Sequence, residues 1–119
     1  MALTKVTSGV LGDEYTSSSS LTSATAITVD TSSADVFTLT AGHSATLNFT
    51  NVIVGDLKTL VVTGGGSSYT LTLGTVNGSS ATFNLISGTY DDTSSTKNFI
   101  QIKFISTTEA WYTISQISS

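Results

Sequence analysis

The chain has 119 residues and a formal net charge of −4, with four lysines, eight acidic residues, one histidine and neither cysteine nor proline. This composition excludes a disulfide scaffold, a cysteine-ligated zinc site and a cysteine nucleophile. Four scattered lysines also argue against nucleic-acid binding, which requires a basic surface along the phosphates.

Hydroxyl side chains take the place of charge. Serine and threonine account for 43 of the 119 residues, whereas charged residues make up only 10%. Abundant threonine, valine, isoleucine and phenylalanine favour strands, because β-branched and aromatic side chains fit a pleated surface. A surface with so little charge is poorly protected against association, so we expect oligomerisation or incorporation into a larger assembly.

The first 20 residues differ from the rest. Leu3, Val6, Val10 and Leu11 are apolar, and residues 16–20 are a run of hydroxyl side chains. Two interpretations stay open: a frayed terminus, or an arm whose four apolar residues bind a neighbouring subunit, with residues 16–20 as a tether. We therefore divide the chain into an N-terminal arm, residues 1–20, and a β-domain, residues 21–119. No apolar run is long enough for a signal peptide or a membrane span, so we expect synthesis in a cytoplasm.

From residue 24 onward, short apolar and alternating segments are separated by turn residues. Eight segments have this character: residues 24–29, 36–40, 45–50, 58–63, 69–73, 82–86, 98–105 and 109–117. Strands at such regular spacing predict an all-β fold, an antiparallel β-sandwich of about eight strands resembling a jelly roll. Residues 106–108 have the length of a hairpin loop. An echo of residues 37–40 in residues 69–72 does not continue at a fixed period, which argues against a solenoid.

The groups that could perform chemistry are few. His43 lies in a turn with no neighbouring acid in sequence, so we expect an exposed histidine and neither a catalytic nor a metal-binding role. Asp91 and Asp92 form the densest acidic pair, which we interpret as a solvated turn rather than a calcium loop. Residues 64–66 are three glycines without a P-loop lysine, which predicts a flexible hairpin tip. No catalytic, cofactor-binding or metal-binding residue is predicted.

The last segment contains Trp111 and Tyr112, which alternation places on opposite faces of a strand. One ring therefore points away from the core. An outward Trp111 is typical of a subunit interface or of a surface on which a glycan stacks. The alternative is that a loop covers Trp111, or that it caps the edge of the sandwich.

One series of segments runs along the chain: residues 36–40, 45–51, Gly55, 60–62, 69–73, 88–90, 98–102 and 111–116, with the opening residues 1–9. Together they resemble a β-domain common among tailed-bacteriophage virion proteins. Such domains occur in tail fibres and in capsid decoration proteins (cement or head-fibre proteins), commonly as trimers. The resemblance implies no catalytic residues and no cofactor.

A single β-domain with a short arm and no long shaft fits a decoration protein better than a fibre. The expected function is that of a non-enzymatic virion protein on the capsid surface. It binds the major capsid protein as a homotrimer, without contacting nucleic acid or membrane, and its arm clasps neighbouring capsomers. One alternative is a tail-fibre or tail-tip module that attaches to the host surface. Another is a free carbohydrate-binding β-sandwich in which a glycan stacks on Trp111 or Tyr90.

Overall fold

A computed structural model describes residues 18–117. Within this range the chain forms ten strands and no helix. The strands are β1 (Ser18–Ser20), β2 (Ala26–Asp30), β3 (Val36–Thr40), β4 (Ala45–Thr50), β5 (Leu57–Thr63), β6 (Leu71–Val76), β7 (Ser79–Ser80), β8 (Thr82–Ser87), β9 (Lys97–Phe104) and β10 (Glu109–Ile117).

The strands form two sheets that the chain visits in turn. The six-stranded sheet has the order β1-β3-β5-β9-β10-β8, and the four-stranded sheet has the order β2-β4-β6-β7. From β1 to β6 the chain passes from one sheet to the other at every connection. Strands of the same sheet therefore pair in parallel: β3 pairs with β1 and β5, and β4 pairs with β2 and β6. This part of the fold is solenoid-like.

The C-terminal part completes the larger sheet. Strands β9 and β10 form an antiparallel hairpin, as predicted, and β9 also pairs antiparallel with β5. Strand β8 forms the edge beyond β10 and runs parallel to it. The longest strands of the described chain therefore lie in the half of the sheet that is farthest from β1.

The core lies between the two sheets and is built from alternate residues of each strand. Leu47 and Phe49 of β4 face Leu60 and Val62 of β5 across this core, and all four are fully buried. The ring of Phe49 lies 5.5 Å from that of Phe104 and 5.8 Å from that of Phe83 (centroid distances). Alternation thus places apolar side chains inside and threonines outside. The chain can therefore form an apolar core although it is rich in threonine.

The all-β class is confirmed, but two finer predictions are wrong. The described chain has ten strands instead of about eight, because β1 and β7 are too short and too polar to be recognised. The antiparallel jelly roll is replaced by the solenoid-like stacking, in which five of the eight strand pairings are parallel.

The argument against a solenoid failed because the repeat length varies. Ser18 pairs with Val36 and Val36 with Thr59, steps of 18 and 23 residues. In the other sheet Ala26 pairs with Thr46 and Thr46 with Thr72, steps of 20 and 26 residues. Connections of different length absorb these differences at the corners between sheets. A repeat search at fixed period therefore misses the stacking.

Candidate functional site

The predicted exposed histidine is found at a corner between the sheets. His43 lies in the turn after β3, and its Nδ1 atom is 2.9 Å from the Ser23 hydroxyl oxygen. That oxygen also accepts a hydrogen bond from the N–H of Gly42. A serine nucleophile paired with histidine is ordinarily completed by an orienting acid on the imidazole. Within residues 18–117 no carboxylate hydrogen-bonds to His43.

In the part of the chain that the structure describes, no three His, Asp or Glu side chains converge to hold a metal ion. The same range has no helix of the length and apolar character needed to cross a membrane.

The most distinctive surface is the outer face of the six-stranded sheet, which we define as the side turned away from the four-stranded sheet. It carries four large apolar side chains that are 39–64% exposed: Leu57, Phe99, Trp111 and Ile117. Strand register places Phe99 between Val61 of β5 and Ser115 of β10. These four side chains lie on one pleated surface together with hydroxyl side chains, Lys97 and Lys103. Five other exposed apolar residues of the described chain, among them Ile53 and Val54 between β4 and β5, are not part of this group.

Trp111 points outward and Tyr112 inward; alternation predicts that they lie on opposite faces but not which of them is outward. Trp111 is 45% exposed, whereas Tyr112 is half-buried against the core. The indole Nε1 of Trp111 donates a 2.7 Å hydrogen bond to Glu109 Oε2, which also accepts a hydrogen bond from the side chain of Asn84. The ring is therefore held in one orientation on the outer face, and no loop covers it fully.

Val61 of β5 is a further apolar residue on this face, although the sequence pattern indicates that it is buried. Three consecutive apolar residues, 60–62, interrupt the alternation of residues 58–63, and on sequence alone this predicts a strand that is covered on both faces. In the structure only Lys58, Leu60 and Val62 are buried, while Val61 lies half-exposed on the outer face. Val61 pairs with Phe99 across β5 and β9, so it enlarges the apolar surface around that ring.

A second notable region lies at the end of the sheets where β5, β9 and β10 meet the loops 64–69 and 89–94. Asp92 ties these loops together. Its carboxylate accepts four hydrogen bonds of 2.8–3.1 Å, from the N–H groups of Gly65, Ser67 and Tyr69 and from the hydroxyl of Tyr90. The solvated turn predicted for this acidic pair therefore describes the exposed Asp91 but not Asp92.

The hydrogen bonds determine the ionisation of this carboxyl group. Burial alone would raise the pKa of Asp92, but the N–H groups of Gly65 and Tyr69, with the Tyr90 hydroxyl, hold it below the ordinary value of 3.8. The pKa of Tyr90 is raised, first by its burial and then by its hydrogen bond to Asp92. Asp92 is thus a charged structural group at neutral pH.

Asn98 lies under the same loops and is completely buried. Its Nδ2 group donates hydrogen bonds to the carbonyl oxygens of Val62 and Asp91. Its Oδ1 atom accepts from the N–H of Asp91 at 2.8 Å and from Gln116 Nε2 at 2.9 Å. Every hydrogen-bonding capacity of this buried amide is used, as a buried polar group requires.

The prediction of a flexible hairpin tip at residues 64–66 is wrong. Strands β5 and β6, on either side, belong to different sheets and form no hairpin. Gly64 is buried, and a Cβ atom there would overlap the carbonyl oxygen of Thr93. A Cβ at Gly65 would overlap the Ala41 carbonyl oxygen and the ring of Tyr69. The glycines serve close packing, a need that their sequence does not distinguish from flexibility.

The predicted arm residues Leu3, Val6, Val10 and Leu11 lie outside the described residues. The end of the predicted tether is described: Ser18–Ser20 form β1 and pair with β3. No family model, curated protein or solved structure matches the chain.

Proposed function

We propose that this chain is a non-enzymatic structural protein of a phage particle, a capsid decoration protein that binds protein neighbours through the outer face of its six-stranded sheet. The supporting observation is the grouping of Leu57, Phe99, Trp111 and Ile117, all substantially exposed, on that one face. Exposed apolar groups concentrated on a single surface are typical of protein–protein contact. The assignment to phage particles is supported by the sequence resemblance described above.

The chemistry of the face suits adhesion between proteins. Its side chains are mainly threonine, serine and apolar residues, so docking a partner requires removing few charges from water. The two lysines on it, Lys97 and Lys103, stand at its two ends in the register of β9. An aromatic ring fixed in place, such as that of Trp111, loses little conformational freedom when a partner covers it.

The size of the face suggests that a further contact is needed. Six strands about 4.8 Å apart, with a rise of about 3.3 Å per residue, give an area on the order of 500–600 Å². A stable interface of ordinary size buries about 800 Å² on each partner. We therefore retain the part of the predicted arm before β1, residues 1–17, as a second contact, in which Leu3, Val6, Val10 and Leu11 bind a neighbouring subunit.

A matched pair of substitutions tests the role of the outer face. Ser115→Lys places a charge beside Phe99 on this face, and Thr72→Lys places the same charge on an exposed position of the four-stranded sheet. We expect Ser115→Lys to abolish both homotrimer formation, measured by analytical ultracentrifugation, and occupancy on the particle. Thr72→Lys should leave both intact. Equal behaviour of the two variants would refute the proposed interface.

The location on the particle is tested by imaging and by function. A decoration protein should appear on the head, and particles that lack it should lose resistance to heat while still adsorbing to host cells. Intact heat resistance with failed adsorption would instead identify a tail-fibre or tail-tip module. Deleting residues 2–17, which spares β1, should lower occupancy on the particle and leave the β-domain folded. Unchanged occupancy would exclude the arm as a contact.

A further inference from the structure

The two loops that Asp92 connects border an open groove of about 680 Å³. We call it the loop groove. Its lining includes Tyr69, Thr89, Tyr90, Asp91, Ser94 and Gln116. The volume falls within the range of small-ligand sites. The groove lies at the end of the sheets rather than on the outer face, so its role is independent of the adhesion proposed above.

The polar groups of the groove are held in place from below. Buried Asn98 fixes the backbone of Asp91 through both its N–H and its carbonyl, and it holds the amide of Gln116. Gln116 Nε2 also donates to the carbonyl oxygen of Thr89. The Asp92 carboxylate fixes the opposite wall through the loop that carries Tyr69. A ligand would therefore meet a preformed surface and would not have to order it.

Several acceptor and donor atoms of the lining remain available. The Asp91 carboxylate accepts a hydrogen bond from the N–H of Thr93, and the Thr93 side chain also interacts with it and lowers its pKa. Among the described residues, Gln116 Oε1 and the Tyr69 hydroxyl have no hydrogen-bond partner. These atoms can accept hydrogen bonds from ligand hydroxyl groups, and the Tyr69 hydroxyl can also donate one.

The charge of the lining excludes one class of ligand. It contains the carboxylates of Asp91 and Asp92 and no lysine, so a phosphate or an acidic sugar would be repelled. An uncharged polyol has the hydroxyl groups that these acceptors need, and its C–H faces pack against the two tyrosine rings. We propose that the loop groove binds an uncharged oligosaccharide.

The test titrates the isotope-labelled full chain with neutral oligosaccharides (maltohexaose, cellohexaose and the hexamer of N-acetylglucosamine) and with polygalacturonate as the acidic probe. We expect at least one neutral probe to shift the amide NMR signals of Tyr69, Asp91 and Gln116, with a Kd on the order of 0.1–1 mM. Polygalacturonate should shift none of them. Absence of any neutral binding up to about 10 mM, or shifts confined to other surfaces, would overturn the proposal.

Substitutions locate the site. Asp91→Asn keeps an oxygen for the Thr93 N–H but removes the charged acceptor, and it should weaken binding about tenfold. Tyr69→Phe, which removes only a hydroxyl group, should weaken it severalfold and provides the test if Asp91→Asn fails to fold. Trp111→Ala alters the outer face alone and should not change the affinity. If Trp111→Ala abolished binding while Asp91→Asn and Tyr69→Phe had no effect, the saccharide would bind the outer face and the groove would be excluded.

Discussion

The hydroxyl group of Tyr90 donates a 2.8 Å hydrogen bond to Asp92, two residues further along the chain. The same carboxylate receives three backbone N–H groups from the loop after β5. A single side chain thus closes two loops that carry no regular secondary structure. The chain has no disulfide and no proline to restrain these loops, so hydrogen bonding to a charged group takes over that role.

The first prediction concerns acid stability. Because hydrogen bonds lower the pKa of Asp92 in the folded state, ionised Asp92 stabilises the fold above its unfolded-state pKa of about 3.8, and this contribution is lost as the pH falls through the folded-state value. We expect Asp92→Asn to lower the free energy of unfolding by about 1–3 kcal/mol at neutral pH. The variant should also lose less further stability than the wild type between about pH 5 and about pH 2. Urea unfolding at each pH measures both effects.

Tyr90→Phe is the control for the acid-stability prediction. It removes one of the four hydrogen bonds and keeps the charge with its backbone donors, so the loss should be about 0.5–1.5 kcal/mol and the steep acid dependence should remain. Some acid dependence should also persist in Asp92→Asn, because hydrogen bonds from Asn51 and Thr93 lower the pKa values of Asp30 and Asp91. If the stability of Asp92→Asn and of the wild type had the same pH dependence, Asp92 would not be the charged group that holds the two loops together.

The second prediction concerns the buried amide. Asn98→Ala leaves the carbonyl oxygen of Val62 and the N–H and carbonyl groups of Asp91 without their partner in the interior. We expect a loss of at least about 2 kcal/mol, measured by chemical unfolding. Asn84→Ala removes a single hydrogen bond on the exposed face of β8 and should cost no more than about 0.5 kcal/mol. Similar losses for the two variants would contradict the assigned role of Asn98.

The third prediction concerns the glycines of residues 64–66. A methyl group at Gly64 meets the backbone of Asp92 and Thr93, which cannot move without opening the Asp92 hydrogen bonds. We expect Gly64→Ala to destabilise the fold by about 2 kcal/mol or more. Gly42→Ala meets only the Ser23 side chain, at 3.3 Å from its hydroxyl oxygen, and should change stability by less than about 1 kcal/mol. Thermal unfolding of the two variants side by side distinguishes packing from flexibility.

The sequence was a good guide to where strands lie and a poor guide to how they pair. Residues 36–40, 45–50 and 109–117 were predicted with the bounds that the structure shows. Alternation reports which face of a strand is buried, but it contains no information on the direction of the neighbouring strand. The short polar connections were interpreted as turns between strands of an antiparallel fold, whereas residues 31–35 and 41–44 are corners that carry the chain from one sheet to the other.

The site was less predictable still. Alternation placed Trp111 and Tyr112 on opposite faces without showing which ring is outward, and the apolar run of residues 60–62 indicated that Val61 is buried. The role of Asp92 depends on N–H groups that lie 23 to 27 residues away in sequence, from Tyr69 to Gly65. No local pattern reveals such a contact. The same holds for Asn98, because an asparagine in an alternating strand does not show which backbone groups it meets inside.

The last prediction concerns Lys58, a lysine that is largely buried. Lys58 is 8% exposed, and its Nζ atom donates hydrogen bonds to the Ala34 carbonyl oxygen and to the Asp35 carboxylate, both at 3.1 Å. Asp35→Ala removes the opposite charge from a largely buried ammonium group. Because the Asp35 side chain is itself 35% exposed, we expect a moderate loss of about 1–2 kcal/mol in the free energy of unfolding.

In the double variant Asp35→Ala and Lys58→Met, an apolar side chain of similar length fills the site. Stability should then return to within about 1 kcal/mol of the wild type, since no buried charge is left to desolvate. A double variant less stable than Asp35→Ala alone would show that Lys58 stabilises the fold through its hydrogen bond to Ala34 and not through the ion pair.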